Sequence, residues 1–167
     1  MISKALNIKP GQCNGCGDCE SACAQKHFGV DDRAKSRIRI INWGNGESHL
    51  PMTCQQCQSA PCLAVCPKSA ISRDPELDRV VIDHDLCVGC KMCVTACPFG
   101  AMKFDDDRGL SFKCELCTGN PECVRVCETG ALEYLETEKH NIPAMRKTAI
   151  MFTGVGRKSA EAKFVRT

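Results

Sequence analysis

The chain has 167 residues, a formal net charge of +2 and 16 cysteines, with one Trp and one Tyr. At that cysteine density a short chain is a disulfide scaffold or a metal protein. The opening segment MISKALNIKPGQC has no apolar core and no small-residue cleavage site, which argues against a secreted scaffold and for the cytoplasm.

No run of about 18 apolar residues suggests a membrane span. Net charge and cysteine density argue against nucleic acid as a partner. So few large apolar side chains call for a second source of stability, and metal centres are the natural candidate.

In chain order the cysteines fall into four groups. Group one is Cys13, Cys16, Cys19 and Cys23, spaced C-x2-C-x2-C-x3-C. RIRIINW (37–43) then alternates polar and apolar residues and meets GNG (44–46), which predicts a hairpin arm with one buried face. Trp43 is assigned to core packing. Group two is Cys54, Cys57, Cys62 and Cys66, spaced C-x2-C-x4-C-x3-C and running on as CPKSAI. RVVID (79–83) predicts a strand leading into group three, Cys87, Cys90, Cys93 and Cys97, which repeats the spacing of group one and runs on as CPFGAM. DDDRG (105–109) predicts a hairpin turn, and LSFKC (110–114) a strand into group four. That group is Cys114, Cys117, Cys123 and Cys127, spaced C-x2-C-x5-C-x3-C and running on as CETGAL. From Glu138 onward there is no cysteine, and seven Lys/Arg accompany two Glu. This basic tail, 138–167, carries the apolar stretch TAIMFTG (148–154) and reads as a docking segment.

Three thiols at i, i+3 and i+6 wrap one face of a compact metal–sulfur cube. A single tetrahedral zinc takes one two-cysteine knuckle plus two distant ligands. The run C-x2-C-x2-C-x3-C-P is that of bacterial [4Fe–4S] ferredoxins, in which the fourth cysteine ligates the other cluster of a pair. Pro98, with its fixed φ, is expected in the first turn of a helix aimed away from the loop. Gly15, Gly17, Gly89 and Gly119 lie inside the ligand loops, where positive φ and close backbone approach to sulfur are useful. His27, His49, His84 and His140 show no ligand spacing and are assigned to surface or hydrogen-bonded roles. No nucleophile–base pair, dinucleotide loop or phosphate loop is present, so a non-catalytic component is expected.

Cys66 and Cys97 precede prolines, whereas Cys23 and Cys127 precede Ala24 and Glu128. This pairs the inner two groups and the outer two. Four sets follow: Cys54, Cys57, Cys62 with Cys97; Cys87, Cys90, Cys93 with Cys66; Cys13, Cys16, Cys19 with Cys127; Cys114, Cys117, Cys123 with Cys23. A sequential pairing, one with two and three with four, is the rival.

On CNGCGDCESAC, CQQCQSAPCLAVCP, VVIDHDLCVGCKMCVTACPFGA and KCELCTGNPECVRVCETGAL, the chain resembles the four-cluster electron-transfer subunits of molybdenum and tungsten oxidoreductases. Formate dehydrogenase, dimethyl sulfoxide reductase-type enzymes, aldehyde oxidoreductase and carbon monoxide dehydrogenase systems carry such subunits. The resemblance spans roughly residues 10 to 136. It implies an α+β fold of two ferredoxin-like halves nested in sequence, built of short helices and β-hairpins around four [4Fe–4S] clusters. The outer half is 1–48 plus 108–137, and the inner half is 49–107. Glu128 departs from the family's proline and puts the local turn in doubt. The short spacer in group four points to the compact branch that serves aldehyde oxidoreductase and carbon monoxide dehydrogenase. All sixteen ligand positions are cysteine.

Two functions are open on the sequence. One is a dedicated subunit relaying electrons between a catalytic tungsten or molybdenum subunit and a second acceptor, such as a flavin- or NAD-linked subunit, with self-association permitted. The other is a freely diffusing polyferredoxin, or a scaffold whose clusters mainly hold structure; the resemblance also leaves open the equivalent subunit of a carbon monoxide dehydrogenase, hydrogenase or formate dehydrogenase. Anionic clusters would turn the holo-protein acidic and favour a basic or neutral partner face.

Overall fold

Four antiparallel strand pairs organise residues 4–136, the part of the chain that the computed structural model describes. The basic segment 138–167 and His140 lie outside these residues. Three pairs are local hairpins. Strands β2 (Arg39–Trp43) and β3 (Ser48–Met52) pair across the GNG turn. The pair β4 (Ile71–Asp74) and β5 (Arg79–Ile82) leads into group three. The pair β6 (Lys103–Asp105) and β7 (Leu110–Phe112) leads into group four around the expected DDDRG turn. The fourth pair joins the two ends: β1 (Lys4–Ile8) lies against β8 (Leu132–Glu136), with Leu6 opposite Tyr134.

Each cysteine group feeds one helix that carries its third thiol. Cys19 is in α1 (Asp18–Phe28), Cys62 in α2 (Pro61–Ala64), Cys93 in α3 (Met92–Ala96) and Cys123 in α4 (Glu122–Arg125). Helix α1 packs on α4, and α2 on α3. Two cores result. One joins Cys19, Cys23, Ile38, Ile40, Cys123 and Leu132; the other joins Ile71, Val80, Cys93 and Met102, bordered by Cys62, Cys66 and Cys97. Both are built from small aliphatic side chains and thiols, as the scarcity of aromatics demands.

Pro98 does not open a helix. Helix α3 ends at Ala96, and the Gly100 N–H donates to the Cys97 carbonyl (3.3 Å). Pro98 is therefore the second residue of a β-turn, a place its fixed φ suits equally well. Ser69 N–H to Cys66 O (3.2 Å) closes the same turn around Pro67, and Gly130 N–H to Cys127 O (3.2 Å) closes it around Glu128. Glu128 thus keeps the turn without the proline. Group one differs because no turn follows Cys23. Ala24 continues α1 to Phe28, and Gly29 stops it in the left-handed region (φ 70°), its N–H returning to Gln25 O.

The β2–β3 arm buries Ile38 and Ile40 and turns Ile41 outward, the alternation expected of it. Trp43 is not core: it stands at the far end of β2 beside the GNG turn and is 49% exposed. The position 48/49 falls inside β3, all of which pairs with β2, and 107/108 falls in the β6–β7 turn. Among the described residues no helix is long and apolar enough to cross a membrane.

Candidate metal centres

The four C-x2-C loops share one backbone device. The residue before the second cysteine has positive φ in every loop: Gly15 (76°), Gln56 (49°), Gly89 (65°) and Leu116 (63°). Glycine adopts this freely, whereas another residue is strained there by about 1–2 kcal/mol. At Gly89 a side chain is also excluded by space, because a Cβ would stand 2.3 Å from the Gly109 carbonyl oxygen. In the other two loops long-range contacts hold the same shape. The Gln56 side chain donates to Cys114 O (2.9 Å) and accepts from Val80 N–H (2.8 Å), and Leu116 is 2% exposed.

Cations clasp three of these loops through their carbonyls. Arg33 donates to Cys16 O (3.3 Å), Arg73 to Gln56 O (3.2 Å) and Cys57 O, and Arg79 to Glu115 O (2.6 Å).

All sixteen cysteines are free thiols, and they converge in fours. Cys54, Cys57, Cys62 and Cys97 line one cavity with Val80, Met102 and Lys113. Cys66, Cys87, Cys90 and Cys93 line a second with Ile71, Ile82 and Ser111. Around α1, burial and the neighbouring Glu20 carboxylate push the Cys19 thiol up to about 12, and Cys16, Cys13 and Cys127 add to the effect. Burial also raises Cys123, with Cys114, Cys23 and Cys117 next in order and Cys19 behind them. In both cavities three thiols of one group meet the last thiol of another, and Cys13, Cys19, Cys23, Cys123 and Cys127 gather in the other core. Cys16 and Cys90 are exposed, Cys19, Cys23, Cys93 and Cys123 are buried, and the rest lie between.

Further polar groups reach the sulfurs. The Arg37 N–H donates to Cys23 Sγ (3.3 Å), and Cys93 Sγ lies 3.3 Å from Ser111 Oγ. His27 Nε2 stands 3.3 Å from Cys117 Sγ and 3.7 Å from Glu115. Burial, then Arg37, lower the His27 pKa to about 4, against the pull of Glu115, so the ring is neutral near pH 7. Burial pushes Cys117 up to about 11. The sequence leaves His27 a surface or hydrogen-bonded role; its sulfur partner is 90 positions away and has no local signal. His49 meets Asn42 (2.8 Å) and His84 meets Ser111 O (3.1 Å).

This donor set fits iron–sulfur clusters. Sets of four thiols, with polar groups against the sulfurs and no cysteine left over, are the ligand complement of [4Fe–4S] cubes. A lone zinc would leave the third thiol of each run without a purpose.

Two family models, both described as 4Fe-4S dicluster domain, match residues 47–137 and 12–70. An uncharacterized ferredoxin of Methanocaldococcus jannaschii is 37% identical, over 68% of this chain and 61% of its own length. The beta subunit of NADH-dependent phenylglyoxylate dehydrogenase of Aromatoleum evansii is 38% identical, over 66% of this chain and 25% of its own. The chain thus spans about three fifths of the first relative and a quarter of the second. A chain of the active site complex BamBC of benzoyl coenzyme A reductase shares the fold, with a TM-score of 0.50 at 24% identity, over 96% of this chain and 98% of that one.

Proposed function

The chain belongs to the 4Fe–4S dicluster domain family, and from that premise we propose that it is a non-catalytic electron-transfer subunit serving a catalytic oxidoreductase subunit. Its sixteen cysteines match a complement of four [4Fe–4S] clusters across two dicluster domains. When bound, these supply reversible one-electron chemistry; the polypeptide supplies spacing, exclusion of water and hydrogen bonds to sulfur.

The ligand sets we assign are the four mixed ones. Cys13, Cys16 and Cys19 hold one cluster with Cys127, and Cys114, Cys117 and Cys123 hold one with Cys23. Cys54, Cys57 and Cys62 hold one with Cys97, and Cys87, Cys90 and Cys93 hold one with Cys66. Groups one and four with the β1–β8 pair make the outer half, 1–48 plus 108–137. Groups two and three make the inner half, 49–107, a boundary that crosses β3 of the β2–β3 arm.

Three neighbour relations support the relay reading by ordering the four assigned sets in series. Cys19 of the Cys13 set shares a core with Cys123 of the Cys114 set. Lys113 adjoins Cys114 and lines the Cys54 cavity. Cys93 of the Cys87 set shares a core with Cys62 of the Cys54 set. The two exposed thiols, Cys16 and Cys90, fall in the two end sets. Val88 (61% exposed) and Met92 flank Cys90 with apolar surface fit for a docked partner. A scaffold needs no such access at both ends, and an electron relay does.

The catalytic partner is a tungsten or molybdenum subunit of the aldehyde oxidoreductase kind, with a flavin- or NAD-linked subunit at the other end and the cytoplasm as the compartment. The resemblance to the compact four-cluster branch supports the first. The NADH-dependent relative supports the second, and sixteen unpaired thiols support the third.

Anaerobic native purification of the full chain from its source, with metal analysis, tests the assignment. Tungsten or molybdenum co-purifying in fixed ratio, and lost on deleting 138–167, is expected. A chain that purifies alone and exchanges electrons with several soluble proteins would instead be a diffusing carrier.

A further inference from the structure

Lys113 is 3% exposed, yet its ammonium meets only neutral acceptors. It donates to Val80 O, to Cys114 O (2.7 Å) and to Gln56 Oε1 (3.4 Å). Among the described residues no carboxylate pairs with it. Other buried charges here do have such partners: Asp105 meets Lys35 at 2.7 Å, and Glu20 meets Arg39 at 3.3 Å. A buried cation without an anion is costly, so a compensating negative charge belongs nearby.

The candidates are the thiols on either side. Lys113 lines the cavity of Cys54, Cys57, Cys62 and Cys97, and it directly precedes Cys114. One of these sets lies in each half, so Lys113 occupies the junction between them.

We propose that Lys113 is the shared counter-ion of the Cys54 and Cys114 sets and raises the reduction potential of both relative to the two end sets. The inference rests on the reading that these sets hold clusters. Accepting one electron adds one negative charge to a set, and a fixed cation in a dry site favours that change. The carbonyls of Val80 and Cys114 and the Gln56 amide hold the ammonium in place. The middle of the series thereby becomes the place where an electron rests between the two ends.

The test is an EPR-monitored dithionite titration of the full-length anaerobic protein, comparing wild type, Lys113→Met, Lys113→Arg and the exposed-strand control Lys4→Gln. In Lys113→Met the one-electron reduction equilibrium of two clusters should fall at least tenfold, 59 mV for n = 1, with the other two within threefold. Lys113→Arg and Lys4→Gln should match wild type. Should Lys113→Met fail to hold four clusters, Lys113→Gln carries the test. It keeps a long polar side chain at the site without the charge and should shift the same two clusters in the same direction.

Four clusters with unmoved potentials in the tested variant, or an equal shift in Lys113→Arg, would overturn the inference and leave the relay reading intact. A wild type without four clusters would overturn both.

Discussion

Lys4 and Glu136 face each other across the β1–β8 ladder, so the two ends of the described chain are neighbours. That pairing brings Cys127, five residues before β8, into one core with Cys13 and Cys19 near the start of the chain. The outer half is therefore built from two segments that flank the inner half in sequence. Closure of so long a loop is entropically expensive, and the backbone ladder is short. Shared ligation across the two segments is a natural source of the missing stability.

Double substitution reads the pairing directly. Cys127→Ser alone should remove about four irons of about sixteen. Adding Cys13→Ser should remove few more, because both act on one cluster. Adding Cys87→Ser to Cys127→Ser should double the loss. Iron and acid-labile sulfide analysis checks this, and the sequential pairing predicts the reverse order for the two doubles.

Gly89→Ala and Gly29→Ala separate two reasons for glycine. Both positions have positive φ (65° and 70°), but only Gly89 faces a backbone oxygen, and Gly29 faces open space. Gly29→Ala should lower stability by about 1–2 kcal/mol. Gly89→Ala should lower it further and reduce cluster content, because the Gly109 carbonyl cannot withdraw as a flexible side chain would. Guanidinium unfolding together with iron content measures both.

Glu128→Pro should be tolerated and modestly stabilising. Pro67 and Pro98 already occupy the matching place in the same turn, closed by the same kind of hydrogen bond. Restricting the unfolded chain there is worth about 0.4–1 kcal/mol, read as a higher guanidinium midpoint with unchanged iron content.

Acid should loosen the contact between residues 33–36 and the β6–β7 hairpin. Lys35 bonds Asp105 (2.7 Å) and Asp107 (2.6 Å), and the Lys35 hydrogen bond holds the Asp105 carboxyl below its ordinary value. The folded pKa is depressed, so this stabilisation is complete above the ordinary carboxylate value. It fades as pH falls through the lower folded one. Lys35→Gln should flatten that acid limb in a pH series of unfolding midpoints while leaving the slope near pH 7 unchanged.

Much of this was legible in the sequence because the signal was local. The four groups, the hairpins entering groups three and four, and the β2–β3 arm rest on spacing, alternation and turn residues a few positions apart. Pro98 was assigned to a helix start since proline suits both that site and a β-turn, and only the hydrogen bond from Gly100 decides. Trp43 was assigned to the core on residue type, but its place beside an exposed turn outweighs its hydrophobicity. The β1–β8 pair, the His27–Cys117 contact and the buried Lys113 join residues far apart in sequence, so no local pattern announces them. The positive φ of Gln56 and Leu116 was hidden for another reason: tertiary contacts impose there what glycine offers freely in the sister loops.

The central claim is that four mixed thiol sets hold four clusters in series. Iron and sulfide quantification on anaerobically prepared full-length protein, joined to a reductive EPR titration, tests it most directly. The account predicts about sixteen irons per chain and reducible centres coupled magnetically to their neighbours. A colourless protein holding zinc, or iron far below that number with no reducible paramagnetic signal, would contradict it.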